Sequence, residues 1–141
     1  MPDGGQMAKA KRKKVKSDLV EQAIKSFSFL RTLDQAERVE ALNTLRAALS
    51  EYSPFRNEPV DFVRWVPSDL VRANDYNPNS VAPPEMELLR LSIAADGYTQ
   101  PIVTNQEGSR FEVVDGFHRN RVGKECPDIT ARVKEIGRAH V

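Results

Sequence analysis

Residues 113–125 read V-V-D-G-F-H-R-N-R-V-G-K-E, and the reading of this stretch organises the rest of the chain. Phe111, Val113 and Val114 have the character of a strand end, Asp115-Gly116 that of a sharp turn, and a helix is expected from about Phe117 until Cys126-Pro127 breaks it. The first N–H groups of any helix lack an intrahelical acceptor. With His118, Arg119 and Arg121 crowded beside them, the segment is suited to hold an anion. The helix dipole favours negative charge there, and a guanidinium can grip two oxygens at once. Gly116 would let a ligand approach the backbone closely. The plainer alternative is that Asp-Gly is ordinary turn chemistry and that the basic side chains face water.

Working outward, Ile102 to Thr104 and Phe111 to Val114 are expected to pair as a hairpin across a loop at Asn105 to Ser109. Before them, Pro84 suits a helix start, the spacing of Met86, Leu89 and Ile93 extends that helix to about Asp96, and Gly97 stops it in a left-handed position. Val60 to Val66 alternates as a strand, with Trp65 read as a core or half-buried edge residue in preference to a stacking platform. Asn77-Pro78 lies in a turn-rich loop. Further upstream, residues 17–52 read as a helical hairpin. Leu19, Val20, Ala23, Ile24, Phe27 and Leu30 line its first helix, with Ser17 or Asp18 placed to cap its start, and Asp34 with Glu37 forms a candidate capping box for the second. Downstream, Ile129 to Val133 looks like one more strand. Residues 135–141, E-I-G-R-A-H-V, resemble a translated sequencing adapter and are expected to be a non-native tail outside the fold. On that expectation His118 is the only native histidine, which removes multi-histidine metal sites.

The chain has 141 residues and a net charge of +1, but the charge is unevenly placed. Residues 1–16 carry six cations against Asp3, a net +5, and the remainder is −4. This segment has few apolar side chains and includes Gly4-Gly5, so it is expected to be a disordered basic arm able to contact DNA or an acidic partner. No apolar run reaches membrane-spanning length and no signal peptide is evident, so the expectation is a cytoplasmic protein without a membrane partner. The one cysteine, Cys126, excludes an internal disulfide.

From about Val63 to Val133 the order strand, Asn-Pro loop, helix, Gly-x-x-Gln-Pro, hairpin and Asp-Gly-x-x-Arg-x-Arg helix resembles the ParB-like N-terminal domain of the ParB/sulfiredoxin fold. The matching positions are Asn77-Pro78, Leu88 to Ile93, Gly97, Gln100-Pro101, and Gly116 with Arg119 and Arg121. The version from Asp115 to Arg119, preceded by a helical segment, is most similar to the IbrB-like branch, co-activators of prophage gene expression. The resemblance implies an α+β fold, a small mixed sheet with helices over residues 60–134, preceded by the hairpin and truncated at its C-terminus. It also implies a nucleoside di- or triphosphate with Mg2+ as ligand. Phosphates would lie on Gly116, His118, Arg119 and Arg121, while Asn77, Gly97, Gln100, Pro101, Asp115 and Phe117 would border the base or pocket. The chain departs from relatives of the partition type, which have Gly-Glu-Arg-Arg at residues 116–119. It also departs from sulfiredoxins, which place a cysteine where Phe117 stands.

Three functions follow as alternatives. The first is a nucleotide-binding regulatory module acting on transcription, with a protein partner or self-association through the hairpin. The second is an enzyme of the same fold, a nucleotide hydrolase, phosphotransferase or nuclease, with Glu85, Glu87 or Asp115 as base or metal ligand. The third is a DNA-binding protein that uses the basic arm. The sequence assigns neither a catalytic residue nor a protein-held metal.

Overall fold

The computed structural model describes residues 3–73, 83–132 and 135–140, divided into two compact units, Met1–Ala41 and Leu42–Val141. In the first unit Asp3 caps helix α1 (Gly4–Ser26), its carboxylate accepting from the Gly5 N–H at 3.4 Å. A 3-10 turn over Phe27–Thr32 follows. Helix α2 (Gln35–Ser50) then opens with the capping box read from the sequence. Asp34 Oδ1 accepts from the Glu37 N–H at 2.9 Å, and the Glu37 carboxylate accepts from the Asp34 N–H at 3.4 Å.

The disordered arm of the sequence reading is thus corrected to helix. Ser17 and Asp18 lie inside α1 and do not cap it. The local reason is propensity: Ala, Lys, Arg, Gln and Met are strong helix formers. None of α1 is buried, and the expected apolar stripe at Leu19, Val20 and Ile24 is exposed.

The second unit is built on a five-stranded mixed sheet of β1 (Val63–Pro67), β2 (Val71–Arg72), β3 (Ile102–Glu107), β4 (Arg110–Asp115) and β5 (Glu135–His140), in the order β1-β5-β3-β4-β2. β1 runs antiparallel to β5 and β3 to β4, whereas β5 is parallel to β3 and β2 to β4. The part of α2 from Leu42 onward belongs to this unit, together with α3 (Pro83–Asp96), α4 (Phe117–Glu125) and α5 (Pro127–Arg132). One core cluster belongs to the sheet, formed by Val66, Val71, Ile102, Phe111 and Val113. A second joins α3, α4 and α5 through Ile93, Val122 and Ile129. The predicted stop at Gly97 is present, with φ +77° and its N–H on the Ile93 carbonyl at 2.9 Å.

Two expectations at the C-terminal end are corrected. Residues 127–132 are helical, because Pro127 occupies a first helical position where its missing N–H costs nothing, and Ile129 then points into the helical core. The strand lies further on, at 135–140, in the stretch set aside as a tail. It pairs with β1 on one side and β3 on the other. Without it, two strands would each present an open edge.

The outer edge of β1 is covered by a side chain. Asn43 on α2 donates from Nδ2 to the Trp65 carbonyl at 2.6 Å and accepts at Oδ1 from the Trp65 N–H at 3.0 Å. One amide thereby replaces a neighbouring strand residue. Trp65 itself is half-buried, as read. Asn43→Ala leaves both main-chain groups without these bonds and is expected to lower unfolding free energy by about 1–3 kcal/mol, measured by urea denaturation. A loss within about 0.5 kcal/mol would show that water substitutes fully for the amide.

Candidate functional site

A β-bulge prepares the turn at the end of β4. Val103 pairs with Asp115 but Thr104 pairs with Val113, so Val114 is an extra residue on β4. Bulges bend and twist a strand, and here the bend delivers Asp115-Gly116 to the start of α4. Gly116 sits at φ +94°, ψ +29° as the N-terminal cap of α4, with no capping side chain. Asp115 shapes the turn, its Oδ1 accepting from the Gly116 N–H at 2.9 Å. The Asn120 N–H closes the first helical hydrogen bond on the Gly116 carbonyl at 2.9 Å. The N–H groups of residues 117–119 are the ones a helix leaves free.

Arg119 folds back over this turn. A Cβ placed on Gly116 would lie 2.9 Å from Arg119 Nη2 and 3.2 Å from its Cζ, so the guanidinium occupies the space that a side chain at 116 would need. Nη2 donates to the Pro101 carbonyl at 3.1 Å and lies 3.9 Å from Asp115 Oδ2. Nε is buried and has no acceptor among the described residues. Asn120, next along, is 3% exposed, and its Oδ1 also lacks a partner among them. Buried polar atoms in folded proteins are nearly always paired, so two such atoms on adjacent residues mark this turn.

The expected site residues separate into two groups. Gly116, Arg119, Asp115 and Pro101 converge, with Gly97 and the exposed Gln100 on the same loop as Pro101. His118 is half-buried at the second position of α4. Phe117, expected to border the base or pocket, packs against the sheet core. Arg121 is not brought to the turn. Two residues apart on a helix point to different flanks, and Arg121 Nε instead meets Glu125 at 2.9 Å, in a groove of about 270 Å³ facing α3. Asn77 lies outside the described residues. Tyr98, absent from the sequence reading, donates its hydroxyl to the Arg119 carbonyl at 3.3 Å.

The acids of the enzyme alternative have other engagements. Arg90 grips both Glu87 oxygens, at 2.7 and 3.0 Å, and reaches Asp128 on α5 at 3.1 Å. Those hydrogen bonds hold the Glu87 carboxyl below its ordinary range, the opposite direction from a base tuned toward neutral pH. Glu85 is exposed in the first turn of α3, where its charge complements the dipole. No three His, Cys, Asp or Glu side chains among the described residues are grouped to hold a metal ion.

Residues 53–141 match the ParB N-terminal domain family. The Escherichia coli (strain K12) protein YbdM, described as uncharacterized, is 50% identical over 107 residues, 75% of this chain and 51% of YbdM. The chain therefore spans about half the length of this curated relative. Among solved structures, similarity is found to the C-terminally truncated chromosome-partitioning protein ParB from Caulobacter crescentus complexed with CTP-gamma-S. The TM-score is 0.46 and the identity 22%, over 56% of this chain and 43% of that one. SbnI with a C-terminal truncation, from Staphylococcus aureus, gives a TM-score of 0.45 and 23% identity, over 60% and 32% of the two chains.

Gly116→Ala forces a β-carbon into a left-handed conformation and against the Arg119 guanidinium. The expected result is a loss of about 1–3 kcal/mol in denaturant unfolding. Stability equal to the wild type would mean that neither the backbone angle nor the packed guanidinium constrains position 116.

Proposed function

The chain belongs to the ParB N-terminal domain family, and from that premise we propose that it is a nucleotide-binding regulatory module whose phosphate cradle is the Gly116 turn. The observation that carries this reading is the buried Arg119 Nε–H, without an acceptor among the described residues, beside a helix N-terminus and above a glycine. An anion at the turn supplies the missing acceptor and meets the free N–H groups of α4. His118, on the same first turn, adds a donor. The bound species is a nucleoside di- or triphosphate with Mg2+, the ion neutralising phosphate charge that one arginine leaves uncompensated. The Gly97 to Pro101 loop borders the base, with the Gln100 amide placed to read its edge. Arg121 remains with Glu125 on the other flank and stands outside the cradle.

The partner side of the module is α1. Lys9, Lys11, Arg12, Lys13, Lys14 and Lys16 are exposed on it, and Lys9 with Lys13 and Arg12 with Lys16 are like charges four residues apart. Such pairs each destabilise a helix by about 0.2–0.5 kcal/mol, a repulsion that a phosphate backbone relieves. The helix thereby contacts DNA, and the exposed Leu19, Val20 and Ile24 stripe serves a protein partner or a second copy. A role in transcription, as in the IbrB-like branch, follows if nucleotide binding biases either contact.

Isothermal titration with ATP, ADP, CTP and GTP in the presence of magnesium tests the cradle. Binding of one nucleotide in the micromolar range is expected, with at least a tenfold loss in Arg119→Ala, about 1.4 kcal/mol. Full affinity in the folded variant would remove Arg119 from the site, and no binding by the wild type would remove the nucleotide. For the helix, replacing Lys9, Lys13 and Lys16 together by Gln is expected to weaken duplex DNA binding irrespective of sequence. It should also flatten the log–log salt dependence by about three units, as the loss of three phosphate contacts requires. An unchanged slope would place any DNA contact elsewhere.

A further inference from the structure

Residue 119 is tied to the Gly97–Pro101 loop at two points. Its guanidinium donates to the Pro101 carbonyl at 3.1 Å, and its own carbonyl accepts from the Tyr98 hydroxyl at 3.3 Å. The two bonds run in opposite directions between the same segments, so together they form a closed clasp. The ring of Tyr98 is equally placed. Among the described residues it is the side chain that packs against both core clusters, the sheet core of Val66, Val71, Ile102, Phe111 and Val113 and the helical core of Ile93, Val122 and Ile129. Each bond depends on the loop holding its position, and the loop is anchored through that ring.

We propose that Tyr98 is a positioning residue for the anion site: its hydroxyl fixes the first turn of α4 against the Gly97–Pro101 loop, and so keeps the Arg119 guanidinium over Gly116 with Nε ready for an incoming acceptor. This rests on the phosphate-cradle reading above. Tyr98 touches no ligand in this scheme. It acts through Arg119, by limiting the orientations the guanidinium would otherwise have to give up on binding, which is how preorganisation raises affinity. The chemistry it serves is that of a phosphoanhydride, shared by inorganic pyrophosphate and the diphosphate portion of a nucleotide.

The test uses the full chain and Tyr98→Phe, which retains the packed ring and removes only the hydroxyl. Titration with magnesium pyrophosphate, and with ATP, CTP and GTP, is expected to show affinity about three- to tenfold weaker than the wild type, the range that one lost hydrogen bond covers. Nuclear magnetic resonance of the Arg119 Nε–H in the free protein reads the guanidinium directly. Its exchange with solvent is expected to be faster in Tyr98→Phe than in the wild type. Asn43→Ala provides a destabilised variant remote from the turn, and its affinity should equal that of the wild type. Unchanged affinity and unchanged Nε–H exchange in Tyr98→Phe would overturn the role of Tyr98 while leaving the cradle intact. An equal loss in Asn43→Ala would overturn it too, by showing that affinity follows stability alone. Failure of the wild type to bind pyrophosphate or any nucleotide would take down the cradle reading, and this proposal with it.

Discussion

The space above Gly116 can hold a side chain of residue 116 or the guanidinium of Arg119, but not both. Because residue 116 is glycine, the chain can turn through a left-handed conformation and let Arg119 lie across its own helix N-terminus. From there the guanidinium reaches the carbonyl that precedes β3, so the turn after β4 is linked to the loop before β3 by a bond spanning 18 residues. The bulge at Val114, the Asp115 carboxylate on the Gly116 N–H, and Phe117 in the sheet core all serve to present that one backbone position.

How much of this was legible depended on whether the signal was local. The Asp34–Glu37 box, the Gly97 stop and the strand-turn-helix around Gly116 are each decided by residues within four positions of one another, and each is found where it was read. Local patterning failed where two local rules competed. Gly4-Gly5 and the scarcity of apolar side chains argue for disorder in residues 1–16, whereas helix propensity from Ala8 to Lys16 favours helix, and helix is what the structure has. At Cys126-Pro127 the proline was read as a stop and is equally a start, which converted an expected strand into α5. The strand at 135–140 could not be inferred from its own composition, because it is specified by the two edges it fills.

Long-range pairing left no trace in the sequence at all. Nothing around Asn43 announces that its amide will meet the backbone of Trp65, 22 residues away, and nothing around Tyr98 announces a hydroxyl bond to residue 119. The candidate site shows the same division. Residue types at 115–119 pointed to an anion, and a helix from Phe117 already separates Arg119 from Arg121, but the sequence did not say that Arg121 would partner Glu125.

The unpaired atoms at the turn bear on how it would work. A guanidinium fully satisfied by protein acceptors would be a structural strut, and one extended into water would pay its whole ordering cost on binding. Arg119 is between these states: Nη2 is engaged, Nε is buried and without an acceptor among the described residues, and the side chain is 21% exposed. Leaving a buried donor unmet costs stability in the free protein, and that cost is recovered only when an acceptor arrives. Differential stabilisation of this kind is the physical requirement for a ligand to shift a conformational equilibrium. The clasp from Tyr98 and Pro101 already holds the guanidinium over Gly116, so an arriving anion meets a donor whose ordering cost was met in folding.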